Sequence, residues 1–213
     1  MSPDGAGRVP PATGHRRDSG LSAVGSAPTT VVRGVTPGEV VYTENKLTLY
    51  RYVPEAGPRV ATPVVLVSAV INRPNILDFE ADRSVVRRFL EAGFETHLLD
   101  WGEPSRLDAS LTLDDYVGRY LANAVEAVTD RAGTVPHLFG YCTGGTLAAV
   151  FTALHPDRVG TLGLLAPVLA FDSDEGILQF WGDEAAYDPR ALVATFGNAP
   201  GAWLAGEFTM VAP

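Results

Sequence analysis

Val135-Pro-His-Leu-Phe-Gly140-Tyr-Cys142-Thr-Gly144-Gly145-Thr-Leu-Ala-Ala-Val150 decides how the rest of the chain is read. A short apolar run leads into a knot of small residues, and the pattern after it is that of a helix. The Gly-x-Cys-x-Gly spacing is the cysteine form of a nucleophile elbow, a strand-to-helix turn that lifts a reactive side chain above a sheet. Gly140 and Gly144 stand two residues either side of Cys142, where a Cβ would collide with the turn or a neighbouring strand; Gly145 continues the small run. The cysteine itself is expected in a strained backbone conformation. A helix beginning at Thr143 aims its free N–H groups at the sulfur, favouring a thiolate and any oxyanion formed beside it. The competing reading is a small buried hydrophobe, the commoner role of a lone cysteine. The strand before the turn and the helix after it favour the elbow.

Cys142 is the only cysteine among 213 residues, so the chain forms no internal disulfide and a reducing, cytoplasmic setting is expected. The 46% hydrophobic and 19% charged fractions are those of a globular protein large enough for one sizeable core. A net charge of −9 argues against nucleic acid as a partner. The imbalance is concentrated late: residues 160–213 hold seven acids and a single base, Arg190. No apolar run approaches the roughly 20 residues of a membrane span.

Outward from the elbow, the chain reads as alternating strands and helices. Residues 1–37, rich in Gly, Pro, Ser, Ala and Thr, are expected to be a disordered tail. Glu39–Thr43 and Lys46–Val53 read as two strands joined by a turn at Glu44-Asn45. Pro63–Val70 is a continuous apolar run, the mark of a strand buried on both faces, and it exits into the loop Ile71-Asn72-Arg73-Pro74. Asp82 is the expected cap of a helix that buries Val85, Val86, Phe89 and Leu90 and stops at Gly93. Phe94–Leu99 is the next strand, with Asp100-Trp101-Gly102 as its exit loop. Thr112 and Asp115 have capping-box spacing ahead of a stripe at Leu113, Tyr116, Val117, Tyr120, Leu121, Ala124, Val125 and Val128. Val159–Ala166 reads as one more buried strand. These elements define an α/β core over residues 38–168, a mostly parallel sheet with helices on both faces and ligand-facing loops at the strand carboxyl ends. Residues 169–213, aromatic and broken by Gly and Pro, are expected to begin a cap or lid.

Taken together, these motifs resemble polyhydroxyalkanoate synthases, enzymes of α/β-hydrolase fold that polymerise 3-hydroxyacyl-CoA. The matching words are Tyr42–Leu47, Ile71–Asp78, Asp82–Gly93, Asp100-Trp-Gly-Glu-Pro104 and Gly140–Gly145, in order across residues 38–213. They are more similar to the short, two-subunit (class III) branch than to the one-subunit branch. The resemblance implies that Cys142 attacks the thioester and carries the acyl unit. It implies an oxyanion hole from the N–H of Thr143 and an N–H of the Ile71–Asn72 loop. It further implies a growing polyester as second substrate, a second synthase subunit or a second copy as partner, and the polymer granule surface as location. No cofactor or metal is called for, coenzyme A being part of the substrate.

One requirement is unmet. The chemistry needs a histidine base and an orienting acid, which in this fold follow the nucleophile in the chain. The only histidine after Cys142 is His155, about 20 Å along the same helix at 1.5 Å per residue. His137 lies about 16 Å back down the elbow strand at 3.3 Å per residue, His97 is inside a strand, and His15 is in the tail. Asp172, Asp174, Asp183 and Asp188 read as solvated charges, and Asp100 as a hydrogen-bond partner behind the elbow. The expectation is that the final strands, with the triad acid and histidine, are missing from this chain. Two rival readings stay open at this point: a non-catalytic granule- or synthase-associated paralogue, and an α/β-hydrolase-type thioesterase in which water replaces the acyl acceptor.

Overall fold

The computed structural model describes residues 34–170, 188–202 and 205–206, with the backbone of residues 30–31. The expected tail before residue 30, and most of the expected cap, lie outside the described residues.

The core is a seven-stranded sheet built around β4 (Val60–Val67), the uninterrupted apolar run, with β5 (Asp78–Glu80) and β6 (Arg83–Ser84) paired as a separate two-stranded sheet. Val65, Leu66 and Val67 are wholly buried, so this strand is covered on both faces. It pairs in parallel with β7 (Phe94–Asp100) on one side and β8 (His137–Tyr141) on the other, the register placing Val67 beside Leu99 and Gly140. Outside β8 runs β9 (Leu162–Leu165), also parallel. On the other flank, β1 (Thr30–Val31), β2 (Gly38–Glu44) and β3 (Leu47–Tyr52) add an antiparallel shoulder, giving the order β1-β2-β3-β7-β4-β8-β9. Helices cover both faces. α1 (Val85–Ala92) sets Val86 against Leu66 and Leu98 in one cluster with Tyr50 and Tyr52. On the opposite face α2 (Ala122–Ala132) and α3 (Thr143–Leu154) close over Leu49, Val65, Val67 and Leu99 with Val125, Leu147 and Phe151. Burying each such side chain contributes about 1.5–3 kcal/mol.

Several local expectations are corrected. The hairpin turns at Asn45-Lys46 rather than Glu44-Asn45, because Asn45 tolerates the left-handed conformation (φ 54°) that the turn needs. Ser84, not Asp82, caps α1, its hydroxyl accepting from the Arg87 N–H at 2.9 Å. That serine also donates to Asp78, a wholly buried carboxylate that accepts from the Thr36 N–H and hydroxyl at 2.8 Å each. Residues 34–36 are therefore pinned to the core and β1 pairs with β2, so ordered chain begins inside the expected tail. The helix after Thr112 opens with a capping box, Asp115 accepting from the Thr112 N–H and hydroxyl at 2.8 Å each. It then winds as a π-helix over Asp115–Leu121 before α2. The wider winding carries Val117, Tyr120 and Leu121 into the core while Leu113 stays 62% exposed, off the expected stripe. β9 is shorter than expected and is not buried: Leu164 and Leu165 are 37% and 43% exposed, because no described strand flanks its outer edge.

Candidate active site

Three loops leave the carboxyl ends of β4, β7 and β8 together, and Cys142 stands at the meeting point. It is the N-cap of α3, half-buried, with φ 52° and ψ −127°. A side chain bearing a Cβ rarely adopts that conformation, and it persists only where its surroundings dictate it. They do so through the backbone. Cys142 donates its N–H to the Leu165 carbonyl at 2.9 Å and its own carbonyl accepts from Gly145 at 2.8 Å. A Cβ on Gly140 would sit 2.4 Å from Gly145 Cα, and one on Gly144 would sit 2.3 Å from the carbonyl oxygens of both Val67 and Ser68. The first turn of α3 is thus wedged directly against the end of the central strand. Gly145 would meet the Pro167 side chain at 3.0 Å. All three expected glycine positions are close approaches, and none of the three carries a positive φ.

A second strained residue stands beside the first. Ala166, just past β9, has φ 48°, and the segment after it is tied to α3 by Thr146, whose hydroxyl donates to the Val168 carbonyl at 2.7 Å. The β4 and β7 exits are joined in turn. Ser68 donates to the Leu99 carbonyl at 2.6 Å, and the Trp101 indole N–H donates to the Ser68 carbonyl at 2.8 Å. Asp100, 6% exposed, accepts from the Gly102 N–H at 2.9 Å and so bends its own exit loop.

Thr143 is the first residue of α3, so its N–H has no preceding helical carbonyl to bind. Its hydroxyl accepts from the Val70 N–H at 3.2 Å, which holds the start of the Ile71–Asn72 loop against the elbow. Beside Thr143 lies a cleft of about 410 Å³ whose apolar wall is Val70, Leu111, Leu113, Leu147 and Val168. Its walls come from the β4 exit loop, the residues leading into the π-wound turn, and α3.

The histidines fall where geometry cannot serve Cys142. His97 is wholly buried in β7, and burial pushes its ring down to about 4, so it is neutral. His137 starts β8, at the opposite end of that strand from the elbow, with Nδ1 2.9 Å from the Thr161 hydroxyl. His155 ends α3, its ring 5.1 Å from that of Phe151. Asp188 caps the helix α4 (Pro189–Phe196) by accepting from the Arg190 N–H at 2.9 Å. His15, Asp172, Asp174 and Asp183 lie outside the described residues. Among the described residues no cluster of His, Cys, Asp and Glu is arranged to hold a metal ion, and no helix is long and apolar enough to cross a membrane.

A sulfur at the apex of a strand-turn-helix, over a parallel sheet, is the arrangement of one broad class, and the chain belongs to the alpha/beta hydrolase fold family, whose model matches residues 62–202. Residues 28–89 match a narrower model, the poly-beta-hydroxybutyrate polymerase (PhaC) N-terminus. The chain is 50% identical over 181 residues to a poly(3-hydroxyalkanoate) polymerase subunit PhaC of Haloferax mediterranei, covering 84% of this chain and 37% of that protein. It is 50% identical over 188 residues to the protein so named in Haloarcula marismortui (84% and 40%). To the one in Allochromatium vinosum it is 37% identical over 186 residues (84% and 51%). The chain thus spans between about a third and a half of the length of these curated relatives. The resemblance read from the motifs is the one the comparisons return, and the two rival readings are not favoured by them.

Two features of the site were missed from the sequence. The strain at Ala166 has no composition signal, since alanine is not a turn residue. The cleft depends on the π-helix, which a 3.6-residue stripe cannot distinguish from an ordinary helix.

Proposed function

We propose that this chain carries the nucleophile of a polyhydroxyalkanoate polymerase, with Cys142 as the acyl carrier. The observation that supports it most is the sulfur's position at the strained apex, φ 52°, in a chain half identical to proteins named as such polymerases. In this reading the Cys142 thiolate adds to the carbonyl of a 3-hydroxyacyl-CoA. The oxyanion is met by the Thr143 N–H and an N–H of Ile71 or Asn72, and CoA departs as thiolate, leaving an acyl thioester on Cys142. The hydroxyl of a second acyl unit then attacks that thioester. Its proton passes to a base, the ester bond forms and the Cys142 thiolate is released, so the polyester grows by one monomer. Both S-acyl exchange partners are thiolates, which keeps the first step near balance. Asp100 acts by shaping the loop behind the nucleophile. No cofactor is required. The word subunit in the relatives' names supports work alongside a second subunit or copy.

The described residues supply no base, so the test is run in alkaline buffer, where hydroxide can take up the thiol proton. Incubation with 3-hydroxybutyryl-CoA should add one 3-hydroxybutyryl mass to the intact chain, mapped to Cys142 and lost in Cys142→Ala. An unmodified mass in the native protein would overturn the reading. Steady CoA release with free 3-hydroxybutyrate and no polymer would transfer it to the thioesterase class.

A further inference from the structure

The two N–H groups assigned to the oxyanion come from separate parts of the fold, Thr143 from the first turn of α3 and Ile71 or Asn72 from the loop that leaves β4. Both donors must stand about 3 Å from one oxygen, so their spacing has to be set before the substrate arrives. The loop does little to set it alone. Ile71, Asn72 and Arg73 are exposed, between the buried Ala69 and the buried Pro74 that opens the short helix Pro74–Leu77. Ser68 donates to the Leu99 carbonyl and its own carbonyl accepts from the Trp101 indole, so both bonds run to β7 and its exit loop. Arg73 reaches Glu103, again on the β7 side. Contact with α3 is made by two successive residues of the elbow. Gly144 lies against the carbonyl oxygens of Val67 and Ser68, where a Cβ would come within 2.3 Å. Thr143 accepts from the Val70 N–H through its hydroxyl at 3.2 Å. The first is a steric contact that ends at Ser68; the second is a directed bond one residue short of Ile71.

We propose that the Thr143 side chain is a positioning residue for acylation: by accepting from the Val70 N–H it sets the spacing between the Thr143 N–H and the donor of the Ile71–Asn72 loop. This rests on the acyl-thioester reading above. One residue then serves the oxyanion twice, directly through its N–H and, through its hydroxyl, by way of the neighbouring loop. Only an acceptor lone pair of the hydroxyl is used. Serine can supply it; valine, of nearly the same shape, cannot. Without the bond the half-buried Val70 N–H turns to water and the exposed loop samples a wider range, so ordering it falls to the transition state. An interaction that matters once the carbonyl oxygen gains charge lowers the rate at saturation and leaves the half-saturating concentration in place.

Two reactions of the same sulfur separate this role from a merely structural one. Acylation by 3-hydroxybutyryl-CoA passes through an oxyanion, whereas alkylation by iodoacetamide displaces iodide directly and forms none. Both are followed by intact mass in the same alkaline buffer. Thr143→Val should slow acylation at saturating 3-hydroxybutyryl-CoA by about tenfold, the worth of one hydrogen bond. The half-saturating concentration and the alkylation rate should stay as in the native chain. Thr143→Ser should restore most of the lost rate. Equal slowing of both reactions would show a disturbed elbow and overturn the assignment. So would a change in the half-saturating concentration alone, native-rate acylation in Thr143→Val, or Thr143→Ser as slow as Thr143→Val. If Thr143→Val folds poorly, Thr143→Ala removes the same acceptor without added bulk and should slow acylation alone; the assignment fails if it does not. A native chain that alkylates but takes up no acyl group overturns the acyl-thioester reading and this assignment with it.

Discussion

Two turns in this molecule hold a non-glycine residue at almost the same positive φ, Asn45 at 54° and Cys142 at 52°, and they are held by opposite means. The turn at Asn45 belongs to the antiparallel shoulder, where side-chain chemistry does the holding. Asparagine tolerates the conformation by itself, and its side chain donates to the Tyr120 hydroxyl at 2.9 Å. Nearby, Arg51 bridges Glu39 and Glu95 at 2.8 and 2.6 Å. The turn at Cys142 has no side-chain cap at all. Its strain is imposed by backbone against backbone, through glycines that let α3 touch β4. A functional side chain held this way keeps all of its own atoms free for chemistry.

The sharpest way to break that contrast is to put a methyl group into the backbone contact. Gly144→Ala forces a Cβ against two carbonyl oxygens and should cost about 3 kcal/mol or more. That corresponds to a melting temperature lowered by roughly 10 °C for a chain of this size. Gly118→Ala, where a Cβ meets nothing within 4 Å, should leave the melting temperature unchanged or raise it slightly. Equal losses at the two positions would show that the wedge is not what holds the elbow.

Acid should instead attack β7, the strand on which the antiparallel shoulder rests. His97 is wholly buried, neither ring nitrogen has a hydrogen-bond partner among the described residues, and burial is the main cause of its lowered value. Glu95, 3.6 Å away on the same strand, favours the charged ring, while Arg51 on β3 and Arg131 on α2 oppose it. The unfolded chain therefore binds the proton first. The stability that His97 contributes as a neutral ring is complete above about 6.5 and is lost as the pH falls towards about 4. The loss approaches roughly 3 kcal/mol at the lower end. Denaturant titrations of the native chain and His97→Leu, compared across that window, should show a slope that the variant lacks.

The smallest effect is the most diagnostic. Cys142→Gly should raise stability by about 1 kcal/mol by relieving the strained backbone, whereas Cys142→Ala should not. Ala166→Gly should gain a similar amount. If glycine brings no gain at 142, the apex is not strained and the reading of its geometry fails.

The parts legible in the sequence are those in which local pattern and global fold agree. The apolar run at Val64–Val67, the stop at Gly93, the Thr112–Asp115 box and the glycine spacing around Cys142 each state their structure in neighbouring residues. The illegible parts depend on partners distant in the chain. Asp78 has no local pattern that marks it as structural, yet it is the buried anchor for Thr36, 42 residues earlier. Asp82 and Ser84 are both plausible caps by type, and the carboxylate of Asp78 settles the choice by holding Ser84 in place. Leu162–Leu165 reads as buried because its residues are apolar, but burial is conferred by a neighbour rather than by composition. Within the site, the elbow was legible from spacing alone.

The order of strands also sets when the site comes into being. β4 is made early but lies between β7 and β8, which follow it by about 30 and 70 residues. A ribosome must therefore release residues through Asp100 before the central strand has its first flank, through Tyr141 before it has both, and through Leu165 before the Cys142 N–H finds its acceptor. The shoulder hairpin can close on local contacts long before that. The Cys142 N–H therefore gains its acceptor only once β9, made after it, has docked against β8.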